Sequence, residues 1–401
     1  RLHPRFEIPA MASYPPPFSS SYRAARTKFL DVAREAHAKI ISLELEGVRG
    51  PDGEVLTIDI AILGDHGTKD PANVFLHSSG VHGAEGFAGS AIQIDFLRRV
   101  SRDQALVKSL AAAKGTKIVL VHAVNPYGMA WIRRFNEKNV DLNRNFLLDS
   151  RNFEEMLSDS KRNVLYSVIH PSLVPRKDTW CFDCRFFTNV LTKIFQYGYS
   201  RTKRAVASGQ YEYKTGLYYG GLELQQGPKL LVDTLTSIGV SPTNTNLQLV
   251  LHVDVHTGLG IFGEDLFIPS TNKLMDTEGL ISVFGSDRVA LGTVDSKAGV
   301  LYETEGSFDT IALQLLRNSS TKPKIITVCQ EFGTYNPISV LRAVILENSW
   351  WQEDKETPID KPVKVGLLRA FYPDSKDWET RVLARGAIAI NQCLSKISVR
   401  V

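Results

Sequence analysis

Asn73-Val-Phe-Leu-His-Ser78 runs through Ser79-Gly-Val-His-Gly-Ala-Glu85 into Gly86-Phe-Ala-Gly-Ser-Ala-Ile-Gln-Ile-Asp-Phe-Leu-Arg-Arg-Val100, and this stretch decides the fold. Asn73–Ser78 is a short apolar run, the pattern of a buried strand. Across residues 85–100, Ala88, Ile92, Phe96 and Val100 fall on one helical face. Residues 117–124 form a second apolar run and read as another buried strand. A strand–helix–strand unit implies parallel pairing, so the expected fold is α/β with a largely parallel sheet.

Outward from this unit, Leu56–Leu63 alternates and stops at Gly64, as a strand does. Ser19 and Ser20 are candidate caps for a helix reaching about Ile40, since Tyr22, Ala25, Phe29, Val32 and Ala36 recur at helical spacing. Residues 150–220 are rich in Arg, Lys, Tyr and Phe without a clean period, and read as an insertion or long loops at the rim of a site. Residues 222–238 read as a helix, 247–255 and 324–330 as strands, and 337–351 and 377–395 as closing helices. The expected organisation is a flexible tail over 1–18 and one domain over 19–401, with an insertion at about 150–235.

The chain has 401 residues, which by length alone suggests about two to three domains, although a long α/β sheet exceeds that average. A hydrophobic fraction of 43% and a charged fraction of 22% suit a globular protein with a large core. The net charge of +4 is too small and dispersed to suggest nucleic-acid or membrane partners. No apolar run approaches the roughly 20 residues that span a bilayer. The first 22 residues lack the apolar core of a secretory signal, and Met11 is the expected natural start. Cys181, Cys184, Cys329 and Cys393 are too few for a disulfide scaffold, so a reducing, cytoplasmic location is expected. The sequence does not set the oligomeric state.

The chemistry gathers at strand ends, where ligands bind in open α/β sheets. His82 and Glu85 follow the strand 73–78 and, three residues apart on a turn, can face one ion. A hydrolytic zinc site takes three protein ligands and keeps one position for water. His256, expected at the end of the strand 247–255, is the candidate third ligand. Strand period puts His252, Asp254 and His256 on one face; Asp254 is expected to support His256, and His252 to be a core histidine. Glu331 follows the strand 324–330, where a carboxylate can take and return a proton. Arg133, Arg134 and Arg144 lie near two turns; a guanidinium can grip a carboxylate with two parallel bonds or stabilise an oxyanion. Each residue alone has an ordinary reading: a core histidine, an exposed glutamate, a solvated arginine. Cys181-x-x-Cys184 has no second pair at zinc spacing, and Tyr218-Tyr-Gly-Gly221 lacks the Lys-Ser/Thr ending of a phosphate loop. Ser78-Ser-Gly80 does not form a serine-hydrolase elbow.

Taken in order, His82-x-x-Glu85, Asn125-Pro-x-Gly128, Arg134-x-Asn136, Val140-Asp-Leu-Asn-Arg-Asn-Phe146, Asp254-x-His256-Thr-Gly258 and Glu331 resemble the zinc carboxypeptidase superfamily, which includes the aspartoacylase and succinylglutamate desuccinylase branch. Residues 21–36, 80–91, 209–221 and 331–335 look closest to a poorly characterised carboxypeptidase-like branch. The resemblance implies a single α/β domain with a mixed, mostly parallel, about eight-stranded sheet between helices. It implies that His82, Glu85 and His256 bind one Zn2+, and that Arg134 polarises the scissile carbonyl. Asn143 and Arg144, with Arg133 nearby, would hold the substrate's carboxylate, and Glu331 would be the general base and acid. The tyrosine that covers the substrate in digestive relatives has only weak counterparts in Tyr302, Tyr218 and Tyr219. The implied function is a metallocarboxypeptidase-type hydrolase acting on a small peptide. The alternatives are an N-acyl-amino-acid deacylase and a non-catalytic binding protein on the same fold.

Overall fold

In the computed structural model, described over residues 16–158, 161–174, 182–269, 277–290, 294–295, 299–300 and 304–397, the strand–helix–strand unit forms as its pattern requires. The sheet strands are β1 (Lys39–Arg49), β2 (Val55–Gly64), β3 (Asn73–Ser79), β4 (Thr116–His122), β5 (Leu249–Phe262), β6 (Asp265–Pro269) and β7 (Lys324–Gly333). They lie in the order β1-β2-β4-β3-β5-β7-β6. The four central strands, β4, β3, β5 and β7, are parallel, while β1, β2 and β6 pair antiparallel at the two sides. The sheet is therefore mixed with a parallel centre, and has seven strands among the described residues.

Helices cover both faces, and the two-residue period of the strands sorts the core accordingly. Ala61, Phe75, Leu251, Val253 and Val328 point to one side. There they meet Phe29 of α1 (Tyr22–Glu35), Ile92 and Phe96 of α2 (Gly86–Arg102), and a late helix that contributes Trp378 and Ile390. Ile58, Ile60, Val74, Leu76 and Val250 point to the other, against Leu231, Leu235, Phe308 and Ile311. Each such large side chain contributes about 1.5–3 kcal/mol when fully buried.

Several boundaries move from where the sequence put them. Helix α1 is capped by Ser21, not Ser19 or Ser20, and ends at Glu35 because His37 adopts φ 54. The chain then turns into β1, a half-exposed outer strand with weak apolar alternation. Phe18, assigned to the tail, is buried against Tyr372 and Trp378. Residues 150–220 are largely helical where described, not loops: α3 is Val164–Leu173, α4 is Phe182–Tyr197 and α5 is Tyr199–Ala207. In α4, Phe186, Val190 and Ile194 form one row while Phe187, Leu191 and Phe195 form the next. Together Phe187, Val190, Leu191, Ile194 and Phe195 make one broad apolar stripe at helical spacing. The later helices are α6 (Gln226–Ser237), α7 (Pro337–Glu353), α8 (Pro362–Phe371) and α9 (Lys376–Lys396). Met11, Cys181 and Tyr302 lie outside the described residues.

The strands do not end together. β3 pairs with β5 only as far as Ser79 opposite Val255, whereas β5 and β7 remain paired through Gly258 and Gly333. His256 and Glu331 are thus inside strands rather than at their ends as expected, and are register partners. The step left where β3 stops exposes one side of β5, and the chain that leaves β3 turns back across it.

Candidate metal centre and its cavity

That returning chain is the turn carrying His82 and Glu85. Its path requires glycine at position 83, where a Cβ would stand 1.9 Å from the backbone carbon of Gly128. Gly128 is held by Asn125, whose side chain accepts from the Gly128 N–H at 2.8 Å and donates to the Arg134 carbonyl at 3.2 Å. The Asn-Pro-x-Gly segment is therefore a brace that docks two loops together.

His82, Glu85 and His256 are buried, with one candidate ligand atom from each lying within 4.8 Å of the others. Nδ1 of His82 is 3.0 Å from a Glu85 carboxylate oxygen, and Nδ1 of His256 is 3.3 Å from the other. The far nitrogen of each ring is held by an aspartate: His82 Nε2 lies 3.1 Å from Asp141 and His256 Nε2 lies 2.7 Å from Asp254. Such partners fix ring orientation and make the inward nitrogen a better donor. His82 Nδ1 is buried with no hydrogen bond of acceptable geometry. Two imidazole nitrogens and one carboxylate, one nitrogen orphaned, fit the donor set of a catalytic zinc.

The electrostatics agree. Burial alone would lower the His256 pKa, but Asp254 and Glu85 outweigh it and raise it well above the ordinary value. Burial likewise opposes ionisation of Asp141, and Arg134 and His82 overcome it, holding that carboxyl well below its usual range. The pocket between these carboxylates favours positive charge.

Glu331 stands beside this cluster. Its Oε1 accepts from the Leu259 N–H at 2.8 Å, and the Cys329 thiol donates toward Oε2 at 3.7 Å. Burial raises its pKa and Glu85 adds to the rise, with His256 opposing. A carboxylate so shifted is a better proton acceptor near neutral pH.

The arginines separate. Arg134 lies over the cluster, 2.7 Å from His82 Nε2, 3.0 Å from Glu85 and 3.1 Å from Asp141, with Tyr218 stacked 5.0 Å away. Arg144 and Asn143 also line the cavity. Arg144 donates to the carbonyls of Ala207, Ser208 and Asn143, so the end of α5 is tied to the guanidinium. Asn143 accepts from the Phe308 N–H at 2.8 Å. Arg133 does not join them. It is fully buried, pairs with Glu347 at 2.9 Å and packs under Trp351 at 3.7 Å, so its expected contact with substrate is corrected to a bracing role.

Sequence reasoning gave no role to Asp141, which the fold makes a hub for His82, Arg134 and the Asn143 N–H. Nor did it find Lys203, a half-buried cavity residue whose charge acts on Glu331. Asp309, also on the cavity wall, is pushed up to about 6, chiefly by burial. Tyr218, like Tyr199, reaches the cavity, and it holds a left-handed φ of 54, a strained backbone of the kind that concentrates at functional sites. Tyr219 is buried in the core on the sheet's second face. His252 bonds Ser78, and Asp254 bonds both Ser78 and His256, in the supporting places expected of them.

A family model described as "Protein of unknown function (DUF2817)" matches residues 18–385, so the chain belongs to that family. No curated protein matches. Among solved structures, the chain is similar to a carboxypeptidase A from Helicoverpa armigera, at TM-score 0.42 and 14% identity over 92% of this chain and 73% of that one. It is similar to a metallo-carboxypeptidase from Burkholderia cenocepacia at TM-score 0.34 and 11% identity, over 88% and 69% of the two chains. It is also similar to a glutaminyl cyclase from Porphyromonas gingivalis at TM-score 0.35 and 10% identity, over 95% and 92%. No helix among the described residues is long and apolar enough to cross a membrane.

Proposed function

We propose that this member of the family is a metal-dependent hydrolase of metallocarboxypeptidase type, cleaving an amide bond next to a carboxylate. The observation that carries the reading is the convergence of His82, Glu85 and His256 within 4.8 Å, beside the buried Glu331, which lies outside that trio and forms a second group with His256 and Cys329. These three residues would hold one Zn2+, which when bound polarises carbonyl oxygens and lowers the pKa of water. Glu331, desolvated and raised in pKa, accepts the proton of the attacking water and passes it to the departing amine. Arg134 presents its guanidinium where negative charge develops on the carbonyl oxygen. Asn143 and Arg144 face the same space and grip the substrate's carboxylate. Asp141 and Asp254 keep the two imidazoles turned inward.

Stoichiometric metal in the purified protein, lost on His256→Ala substitution, is the first expected result. A metal-free protein that takes up none from excess Zn2+ would overturn the reading. Peptides with free and amidated C-termini then test the carboxylate grip: cleavage should require the free acid.

A further inference from the structure

The metal cluster forms only one part of the cavity wall. Much of the rest comes from the helices of the 150–220 segment and from α7. Ile169 and Leu173 of α3, Phe186, Val190 and Ile194 of α4, and Val206 of α5 line the same cavity as His82 and Glu331. Val340 and Ile345 of α7 continue this lining. Four of the six roof residues, Ile169, Leu173, Phe186 and Val206, are buried in a cluster that α7 and α8 complete. Phe186, Val190 and Ile194 follow one another at four-residue spacing, so their row runs for about 12 Å along the helix.

Two polar residues of this wall, Lys193 and Thr202, are engaged elsewhere, while Lys203 acts on Glu331 at the polar end. Lys193 reaches Gln196 at 3.5 Å and Tyr197 at 5.9 Å, which leaves its methylene stem along the cavity. The Thr202 hydroxyl donates to the Lys193 carbonyl at 3.2 Å. Against the row Phe186, Val190 and Ile194 an extended peptide would bury amide groups facing apolar side chains, which costs free energy. An alkyl chain has none to bury.

We infer that the roof is a subsite for a long apolar acyl chain, and that the substrate class is an N-acyl amino acid whose acyl part is an alkyl chain rather than acetyl or a peptide. This rests on the proposed hydrolase reading, because that reading puts the scissile amide at the polar end. Hydrolysis adds water across the amide: the C–N bond breaks, hydroxyl goes to the acyl carbon and a proton to the amine, giving a fatty acid and a free amino acid. No redox partner is needed.

The test uses the full chain and two separate readouts. In the first, kcat/KM is measured for N-acetyl-, N-butyryl-, N-octanoyl- and N-lauroyl-alanine. It should rise about fourfold per added methylene until the cavity is filled, the value for burying one CH2 group. In the second, laurate is titrated into metal-free protein by calorimetry, with acetate as the control. Laurate should bind with a negative heat-capacity change and acetate should not. Val190→Glu and Leu173→Trp, placed at two points of the wall, should each flatten the chain-length slope and weaken laurate binding. Laurate binding without cleavage of any amide would support the subsite while removing the hydrolase reading. Cleavage without chain-length dependence or laurate binding would overturn the subsite and leave the hydrolase. Faster cleavage of peptides ending in phenylalanine than of N-lauroyl-alanine, with laurate failing to compete, would also overturn it.

Discussion

The floor and roof of the cavity are built in opposite ways. The floor is set by strand ends and tight turns, and every charged group there has a partner at hydrogen-bond distance: His82 with Asp141, His256 with Asp254, Arg134 with Glu85. The roof is a set of helices whose inner face is mostly apolar and whose outer side also carries apolar groups on α3 and α4, with Phe195 93% exposed. Polar networks in a low-dielectric interior hold atoms to fixed positions, whereas apolar contact is non-directional and tolerates exchange. The floor thus suits bond-breaking and the roof suits selection by size and hydrophobicity. Arg144 joins them, since its guanidinium lines the floor while capping the last carbonyls of α5.

The contrast can be broken first at Glu331. Glu331→Gln should retain fold and metal and lower kcat by about 10²–10⁴-fold, as loss of general-base catalysis does. Steady-state rates beside metal analysis check this, and near-normal turnover would remove Glu331 from the chemistry.

Arg133 braces the floor from behind. With Glu347 and Lys364 it forms a fully buried charged group, the two cations 2.9 and 2.7 Å from one carboxylate oxygen. Arg133→Met leaves Glu347 with one cation and should cost about 3–5 kcal/mol in chemical unfolding. Arg134→Lys, one residue on, should spare stability and reduce turnover. If both substitutions lowered stability alike, the division between brace and site would be wrong.

The sheet beneath the floor predicts a pH response. His77 and His122 are fully buried and burial depresses each to about 4, from an ordinary value of 6.5. Between these values the unfolded chain binds protons that the fold excludes, so stability is complete above about pH 6.5 and falls as pH drops toward 4. Each histidine contributes a slope of about 1.4 kcal/mol per pH unit within that window. Urea midpoints at pH 7 and pH 5 measure it, and equal midpoints would show that these histidines do not titrate on unfolding.

The smallest effect is expected on the outer roof. Phe195→Ser removes a ring that is 93% exposed and should change stability by no more than about 0.5 kcal/mol. A large loss would mean that this row is covered in solution.

Much of the floor was legible because its residues sit at short, fixed offsets. His82 and Glu85 share one turn, and strand period alone placed Asp254 and His256 on a common face. Arg133 and Arg134 could not be told apart in sequence, because adjacent side chains leave a turn in different directions. In sequence the roof segment reads as an insertion or long loops because its Arg, Lys, Tyr and Phe content hides the helical spacing that α4 carries from Phe187 to Phe195. β1 escaped notice because an edge strand with one solvated face needs few apolar residues.

By itself the sequence determined the parallel centre of the sheet, the helices packed on it and the identity of the candidate ligands. Those properties follow from local periodicity and from donor chemistry, which any short window of residues displays. Only the tertiary structure decided that β5 and β7 outrun β3, that Asp141 orients His82, and that the helices of the 150–220 segment close over the cluster. Each of those joins residues far apart in the chain, and burial, register and charge pairing are set only once such segments meet.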